Sequence, residues 1–296
     1  MPIVRSTGCW QFLCSSPNSS WSCGFQAAKG QRKQQNSRRG SRVRASICLD
    51  ASVRLGLSQN DTICAAAVCE LLHNASLIQD DLLDRTTLRR GAPSVWVKHG
   101  DLVALCTDDL MLSSAYGLLC ELSMPTLIAP ALRLVHQRTS EVILGQAAEG
   151  VARQTGSDST TAHYEQLAKA KSASLLSLSL ELPLLLSGNN LCLADAHRLA
   201  SDFAVAYQIA DDLTDVVQDT EEGSSNLLLS MMEQDGLTRS EAYACAIELA
   251  TAHLESVNRR AKDLPHNCAA TLLLYAEKLR LTLAEHSAAL LATAGV

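Results

Sequence analysis

HNASLIQDDLLDRTTLRRG, from His73 to Gly91, is the stretch on which the reading of this chain turns. It opens as an apolar helix, runs into Asp80, Asp81 and Asp84, and closes on Arg89, Arg90 and Gly91. The same acidic spacing returns in QIADDLTD, with Asp211, Asp212 and Asp215. On an α-helix, residues i and i+4 stand one above the other. Asp80 therefore shares a face with Asp84, and Asp211 with Asp215, with Asp219 a further turn on. Like charges so placed destabilise a helix by ~0.2–0.5 kcal/mol per pair. One DDxxD alone reads as a solvated helix end. Two of them, each closing a long apolar segment and one followed by RRG, point to a cation that offsets the repulsion. All-oxygen donors suit a hard ion such as Mg²⁺, which takes one or two carboxylates together with phosphate oxygens and water. The neighbouring arginines suit bidentate phosphate contacts. The combination describes a site for a diphosphate carried on an apolar group.

Working outward from that stretch, the periodicity predicts helices and no convincing strand, so the class is all-α. GSRVRASICLDASVRLG reads as a helix ended by Gly56, and Ser58 to Asp61 supplies caps for the next. The segment from Asp61 to about Arg85 is apolar in every direction, which predicts a buried central helix. A loop follows, then helices over about Asp101–Leu122 and from Pro125 to about Arg153, the latter bearing Glu141, Gln146 and Glu149. His163–Leu186 is expected to be helical with a break near Pro183. Leu191 to about Val217 is a second all-round apolar helix, followed by a polar loop over Glu221–Asn226. Two amphipathic helices, about Arg239–Ala261 and His266–Leu291, close the chain.

Composition excludes several classes. The first 44 residues hold eight of the 25 Lys and Arg and none of the 31 Asp and Glu, so the remainder is strongly acidic and ill suited to nucleic acid. The longest apolar candidate for a membrane span, Ser174–Ser187, is short and contains Glu181 and Pro183, so no transmembrane segment is expected. Eleven cysteines without a CxxC pair argue against a zinc site or a disulfide framework. Cys64, Cys69, Cys106 and Cys120 read as small buried hydrophobes in a reducing compartment. His99, His136 and His197 read as surface or satisfied core histidines. Residues 1–39, basic and rich in Ser and Gln, lack periodicity and read as disordered. They suit either an organelle transit peptide or a non-native extension. The domain then spans 40–296, with a cytoplasmic location expected and organelle import as the alternative.

The stretch His73–Gly91 together with AYQIADDLTDVVQD resembles the trans-isoprenyl diphosphate synthases, the polyprenyl synthetase family, over roughly residues 40–220 by motif. The resemblance implies a single helical bundle around a central cavity, the isoprenoid synthase fold. It implies Mg²⁺ on Asp80, Asp81 and Asp84 and on Asp211, Asp212 and Asp215. Arg89 would contact an allylic diphosphate and Arg90 isopentenyl diphosphate. His73, with Arg44 and Arg42 of GSRVR, would join the isopentenyl site. Lys171 and Ser172 match a Lys-Thr pair on the allylic diphosphate, and Gln208 a glutamine facing the nascent cation. Asp80, Asp84, Asp211, Lys171 and Gln208 would carry the catalysis. In that family bulky side chains at the positions of Ala75 and Ser76 stop chain growth at farnesyl length. Both are small here, which implies geranylgeranyl diphosphate. Partners implied are isopentenyl and allylic diphosphates and a second copy in a homodimer, or a different subunit in a heteromer.

The chain also departs from the family pattern. Ser41 stands for the lysine of GKR, TEEGSSNLLLS after Asp219 holds no basic residue before Arg239, Asp108 stands for a glycine and Gln79 for a histidine. No periodic segment before Gly40 corresponds to the family's first helix. A weakly active regulatory subunit is therefore the alternative, ahead of a class I terpene cyclase and a head-to-head synthase.

Overall fold

The computed structural model describes residues 42–155, 161–222 and 226–294, which all fall within one compact unit, Ser41–Val296. The disorder expected for 1–39, and Ser41 itself, lie outside the described residues. Eleven α-helices are found among the described residues: α1 Val43–Arg54, α2 Gln59–Leu83, α3 Val95–His99, α4 Asp101–Leu119, α5 Pro125–Thr155, α6 Thr161–Ala168, α7 Ser174–Leu186, α8 Leu193–Glu222, α9 Leu227–Gln234, α10 Arg239–Arg260 and α11 Ala270–Ala294. The all-α class is thus observed. Among the described residues, strand is limited to an antiparallel pair, β1 Leu88–Arg89 and β2 Ala92–Pro93. The short α3 occupies the expected loop after Gly91, and α9 follows the expected polar loop.

Helix ends follow their local chemistry. Ser58 caps α2 by accepting from the Asp61 amide at 3.1 Å. Asp61 also accepts from the Ser123 amide at 2.8 Å, which ties the start of α2 to the turn before α5. Thr238 and Glu241 form a reciprocal capping box at the start of α10.

The most deeply buried helix is α7, in which all thirteen residues are buried, rather than either acid-bearing helix. Its leucines divide between two hydrophobic clusters. Leu176, Leu180 and Leu184, spaced four apart, join the cluster around α8. Leu175, Leu178, Leu182 and Leu185 join the cluster around α2. Helical spacing sends these two sets to opposite sides of one cylinder. Each fully buried Leu contributes ~1.5–3 kcal/mol. So α2 and α8 each pack on α7, which forms the wall behind both acidic helices. The expected break near Pro183 is absent: Pro183 sits within α7, and the irregularity comes earlier, as a π-helical turn over Lys169–Ala173. A proline removes one N–H, but in the last turn of a helix that loss is confined to one bond.

Two further expectations change. Cys64 and Cys69 are buried, but Cys106 and Cys120 are exposed, because α4 turns much of its apolar surface outward. Leu102, Val103, Leu105 and Leu110 on α4 are exposed, Leu102 at 74%. In addition, α2 and α4 are long and apolar enough by length and composition to cross a membrane, contrary to the expectation that no segment would be. Half of α2 is buried, as befits a core helix, whereas only 17% of α4 is. His99 and His136 lie at the surface, and the half-buried His197 is satisfied by Ser177 at 3.1 Å.

One buried charge pair pins α5 to α7. Arg138 donates from Nε and Nη2 to Glu181 at 2.8 and 2.5 Å and from Nη1 to Glu141 at 2.7 Å. Glu181 is fully buried and also accepts from Ser177 at 2.7 Å. Removing the cation strands a buried carboxylate. Arg138→Met is expected to lower unfolding stability by about 3–5 kcal/mol, and Arg138→Met with Glu181→Leu to recover part of it. Urea denaturation of the single and double variants measures both.

Candidate active site

The last turn of α2 carries the first acidic triplet. Successive helix positions point about 100° apart, so Asp81 cannot share the face of Asp80 and Asp84. It turns inward, only 3% exposed, and accepts from Arg89 Nε at 2.7 and 2.8 Å and from Arg89 Nη2 at 2.6 Å. The β1–β2 hairpin makes this possible by folding Arg89 back onto the helix, with Arg90 and Gly91 both at positive φ in its turn. Arg85 steadies the same segment, stacked 5.1 Å from the Trp96 ring centre and paired with Asp101 at 2.8 Å. Asp80 is half-buried and meets the Nε2 amide of Gln146, which reaches across from α5. Asp84 caps the helix and is exposed.

The second triplet, on α8, repeats the arrangement. Asp212 is 3% exposed and accepts from the Leu227 amide at 2.8 Å and from Gln208 Nε2 at 3.0 Å. Asn226 donates to the Asp212 carbonyl at 2.9 Å and to Asp219 at 2.7 Å, fastening the start of α9 beneath α8. Asp211 and Asp215 are exposed on the outer face. The middle aspartate of each triplet is thus committed to protein donors, where the family resemblance had implied a metal ligand. Of the outer pairs, Asp84, Asp211 and Asp215 are exposed, and Asp80 is half-buried against Gln146. Gln208, expected to face a reacting cation, places its amide on Asp212.

Burial pushes the Asp212 carboxyl up to about 6, against the hydrogen bonds from Leu227 and Gln208. The Tyr164 hydroxyl lies beside Asp212 without hydrogen-bond geometry, and burial and the neighbouring aspartates push its phenol pKa up. Asp211 is also raised, by burial and then by Asp215 and Asp219. These carboxylates repel one another in the folded protein. Among the described residues no three Asp, Glu, His or Cys side chains converge into a complete ion cage. A hard cation that takes one or two carboxylates and fills its remaining positions with phosphate and water fits this donor set.

Beside the acids lies a basic pocket. Arg44, on α1, donates from Nη1 to His73 Nε2 on α2 at 3.2 Å. Burial, then Arg44, Arg90 and Arg89, hold the His73 pKa down to about 3, so the ring is neutral. With Nε2 accepting, the ring proton sits on Nδ1 by inference. That Nδ1 and Arg44 Nε are both buried and without protein partners, two N–H groups suited to an anion. Tyr207 joins the two halves: burial and Asp211 raise its pKa, while Arg44 and Arg90 lower it. The structure therefore brings together Arg44, His73, Arg89 and Arg90, as the sequence implied. Arg42 is exposed at the N-cap of α1 with left-handed backbone, φ 48°. Lys171 and Ser172 occupy the π-turn, which packs on both α5 and α8; such turns often mark functional sites. Ala75 is buried, and the half-buried Ser76 donates to the His73 carbonyl at 2.9 Å. Sequence reasoning gave no role to Gln146, Tyr164 or Tyr207. Of the three, only Tyr207, one residue before Gln208, lay beside a motif.

A helical bundle with two acid-bearing helices around an arginine–histidine pocket is the isoprenoid synthase architecture. Solved structures agree on the fold. A geranylgeranyl pyrophosphate synthetase from Geoglobus acetivorans superposes with a TM-score of 0.74 at 21% identity, covering 84% of this chain and 90% of that one. The Pyrococcus horikoshii geranylgeranyl pyrophosphate synthetase gives 0.73, also at 21% identity and covering 84% and 88%. Residues 31–227 match the polyprenyl synthetase family, and the chain belongs to that family. The Mycobacterium tuberculosis (2E,6E)-farnesyl diphosphate synthase is 33% identical over 198 residues, 67% of this chain and 54% of that protein. The Methanosarcina mazei geranylgeranyl diphosphate synthase is 27% identical over 179 residues, 60% of this chain and 55% of that protein. The chain thus spans about half the length of the curated relatives it matches.

The raised Asp212 carboxyl has a pH consequence. Its folded pKa lies above the unfolded value, so the folded state binds the extra proton between about pH 4 and 6, and stability falls as pH rises through that window. Melting curves in EDTA from pH 4 to 7 should show wild type losing on the order of 2–3 kcal/mol relative to Asp212→Asn. Parallel curves for the two proteins would contradict the assignment.

Proposed function

We propose that the chain is a Mg²⁺-dependent head-to-tail prenyltransferase, joining isopentenyl diphosphate to an allylic diphosphate. The observation that carries this reading is the adjacency of the acidic helix ends to the Arg44–His73–Arg90 pocket, with Tyr207 shared between them. Asp80 and Asp84, with Asp211 and Asp215, would hold the cation, which supplies charge neutralisation on the leaving diphosphate. Arg89 keeps Asp81 turned inward and adds positive charge beside the same diphosphate. The unpartnered N–H groups of His73 and Arg44 bind the second, non-leaving diphosphate. A neutral His73 donates there without carrying a charge into a pocket that already holds arginines. The apolar walls keep water from the allylic cation. Attack by the isopentenyl double bond then releases a proton to the departing diphosphate, so no protein base is required.

Ala75 lies about 7.5 Å before Asp80 along α2, and its small side chain, where the resembling family carries bulky ones that stop growth at farnesyl length, favours geranylgeranyl diphosphate as product. The exposed leucines of α4 support a homodimer through that helix. One feature favours a second reading, a regulatory subunit of a heteromer: from Asp219 to Thr238 the chain lacks a basic residue, and Ser41 replaces a lysine.

Incubation with isopentenyl diphosphate, each allylic diphosphate in turn and Mg²⁺, followed by product analysis, separates these readings. Elongated diphosphates are expected, with Ala75→Phe shortening them to farnesyl or geranyl length while turnover persists. Absence of turnover by the chain alone favours the subunit reading, and cyclic hydrocarbons a terpene cyclase. Leu105→Glu should shift the mass measured by light scattering from two chains to one. An unchanged mass rejects α4 as the interface.

A further inference from the structure

Gln146, on α5, reaches the end of α2 through its side chain. Its Nε2 donates to Asp80 Oδ1, which fixes the amide orientation, since a carboxylate only accepts. Its Oε1 is buried from solvent and has no hydrogen-bond partner in the protein. Buried acceptors without partners are rare, and each calls for an explanation such as an ordered water or ion. The carboxylates at this end of α2 cannot supply one, because they too only accept. A hydrated hard cation can: Mg²⁺ retains several waters, whose hydrogens need acceptors.

We infer that Gln146 is a positioning residue of the cation site. Its Nε2 holds the Asp80 carboxylate in position at the cation site, and its Oε1 accepts a hydrogen bond from a water in the ion's shell. The inference rests on Asp80 being a cation ligand, as in the function proposed above. Loss of a group that orients a metal ligand typically weakens metal affinity about 10–100-fold. A merely structural glutamine would act on folding stability instead and leave metal affinity alone.

The test uses the full chain, Mn²⁺ as a paramagnetic substitute for Mg²⁺, and inorganic pyrophosphate as the anion. Free Mn²⁺ is read by electron paramagnetic resonance, and melting temperature is read separately in EDTA. Gln146→Met preserves bulk and removes both amide functions. It should weaken Mn²⁺ binding about tenfold or more, with a melting temperature in EDTA at or above wild type, because an unsatisfied acceptor has gone. Gln146→Glu keeps an acceptor oxygen and should bind Mn²⁺ more tightly than Gln146→Met. If Gln146→Met does not fold, Gln146→Asn, which withdraws the oxygen by one methylene, takes its place with the same expected loss. Wild-type Mn²⁺ affinity in the Met or Asn variant overturns the inference and leaves the cation site standing. Failure of the wild-type chain to bind Mn²⁺ with pyrophosphate overturns both.

Discussion

Carboxylates crowded at the ends of two helices are the constraint around which this structure is arranged. Aspartates one turn apart repel, and burial raises the cost of their charge. The fold answers by dividing each triplet. Asp81 and Asp212 turn inward and become anchors, one for the hairpin that follows α2 and the other for the start of α9. The remaining members, Asp80 with Asp84 and Asp211 with Asp215, stay closer to solvent than these anchors. Burial, and then the charges of Asp215 and Asp219, raise the Asp211 carboxyl there, a cost that a bound cation would relieve.

Support for this arrangement comes from behind. Helix α7 presents one leucine face to α2 and the other to α8, so the two acid-bearing helices are referenced to a common wall. Arg138 and Glu181 tie that wall to α5, the helix that brings Gln146 to Asp80. The π-turn Lys169–Ala173 enters α7 at the same end, and Ser174, its first residue, donates to Glu141 at 2.8 Å. The π-turn packs against both α5 and α8, the helices that carry Gln146 and the second acidic triplet. The basic pocket is built through α1, whose Arg44 reaches His73 across the interface of α1 and α2.

The same division explains how one small region can handle two anions differently. One diphosphate would meet carboxylates through a cation, with Arg89 as a fixed positive neighbour. The other would meet N–H groups directly, from a neutral histidine and a buried arginine. Tyr207 stands between the two fields, influenced by Asp211 on one side and by Arg44 and Arg90 on the other.

Much of this was legible in the sequence. Helical periodicity over Asp61–Arg85 and Leu191–Val217, the paired DDxxD spacing and the RRG turn are local features, and local geometry determines them: residues four apart on a helix share a face wherever the helix lies. That was enough for the all-α class and for the two acidic helices, whereas the grouping of Arg44 and His73 with Arg89 and Arg90 was implied by the family resemblance. What only the tertiary structure decided depends on residues distant in the chain. An aspartate's partner is set by what folds back onto it, so the inward turn of Asp81 and Asp212 could not be read from DDLLD or DDLTD. Gln146 meets Asp80 from 66 positions away in the chain, a pairing that no local pattern encodes. The central place of α7 escaped notice because Pro183 and Glu181 interrupt its pattern, yet Arg138 neutralises the glutamate and the last helical turn tolerates the proline. Cys106 and Cys120 looked like core residues because α4 is apolar, but apolarity states only that a surface prefers to be covered, and packing decides which surfaces are.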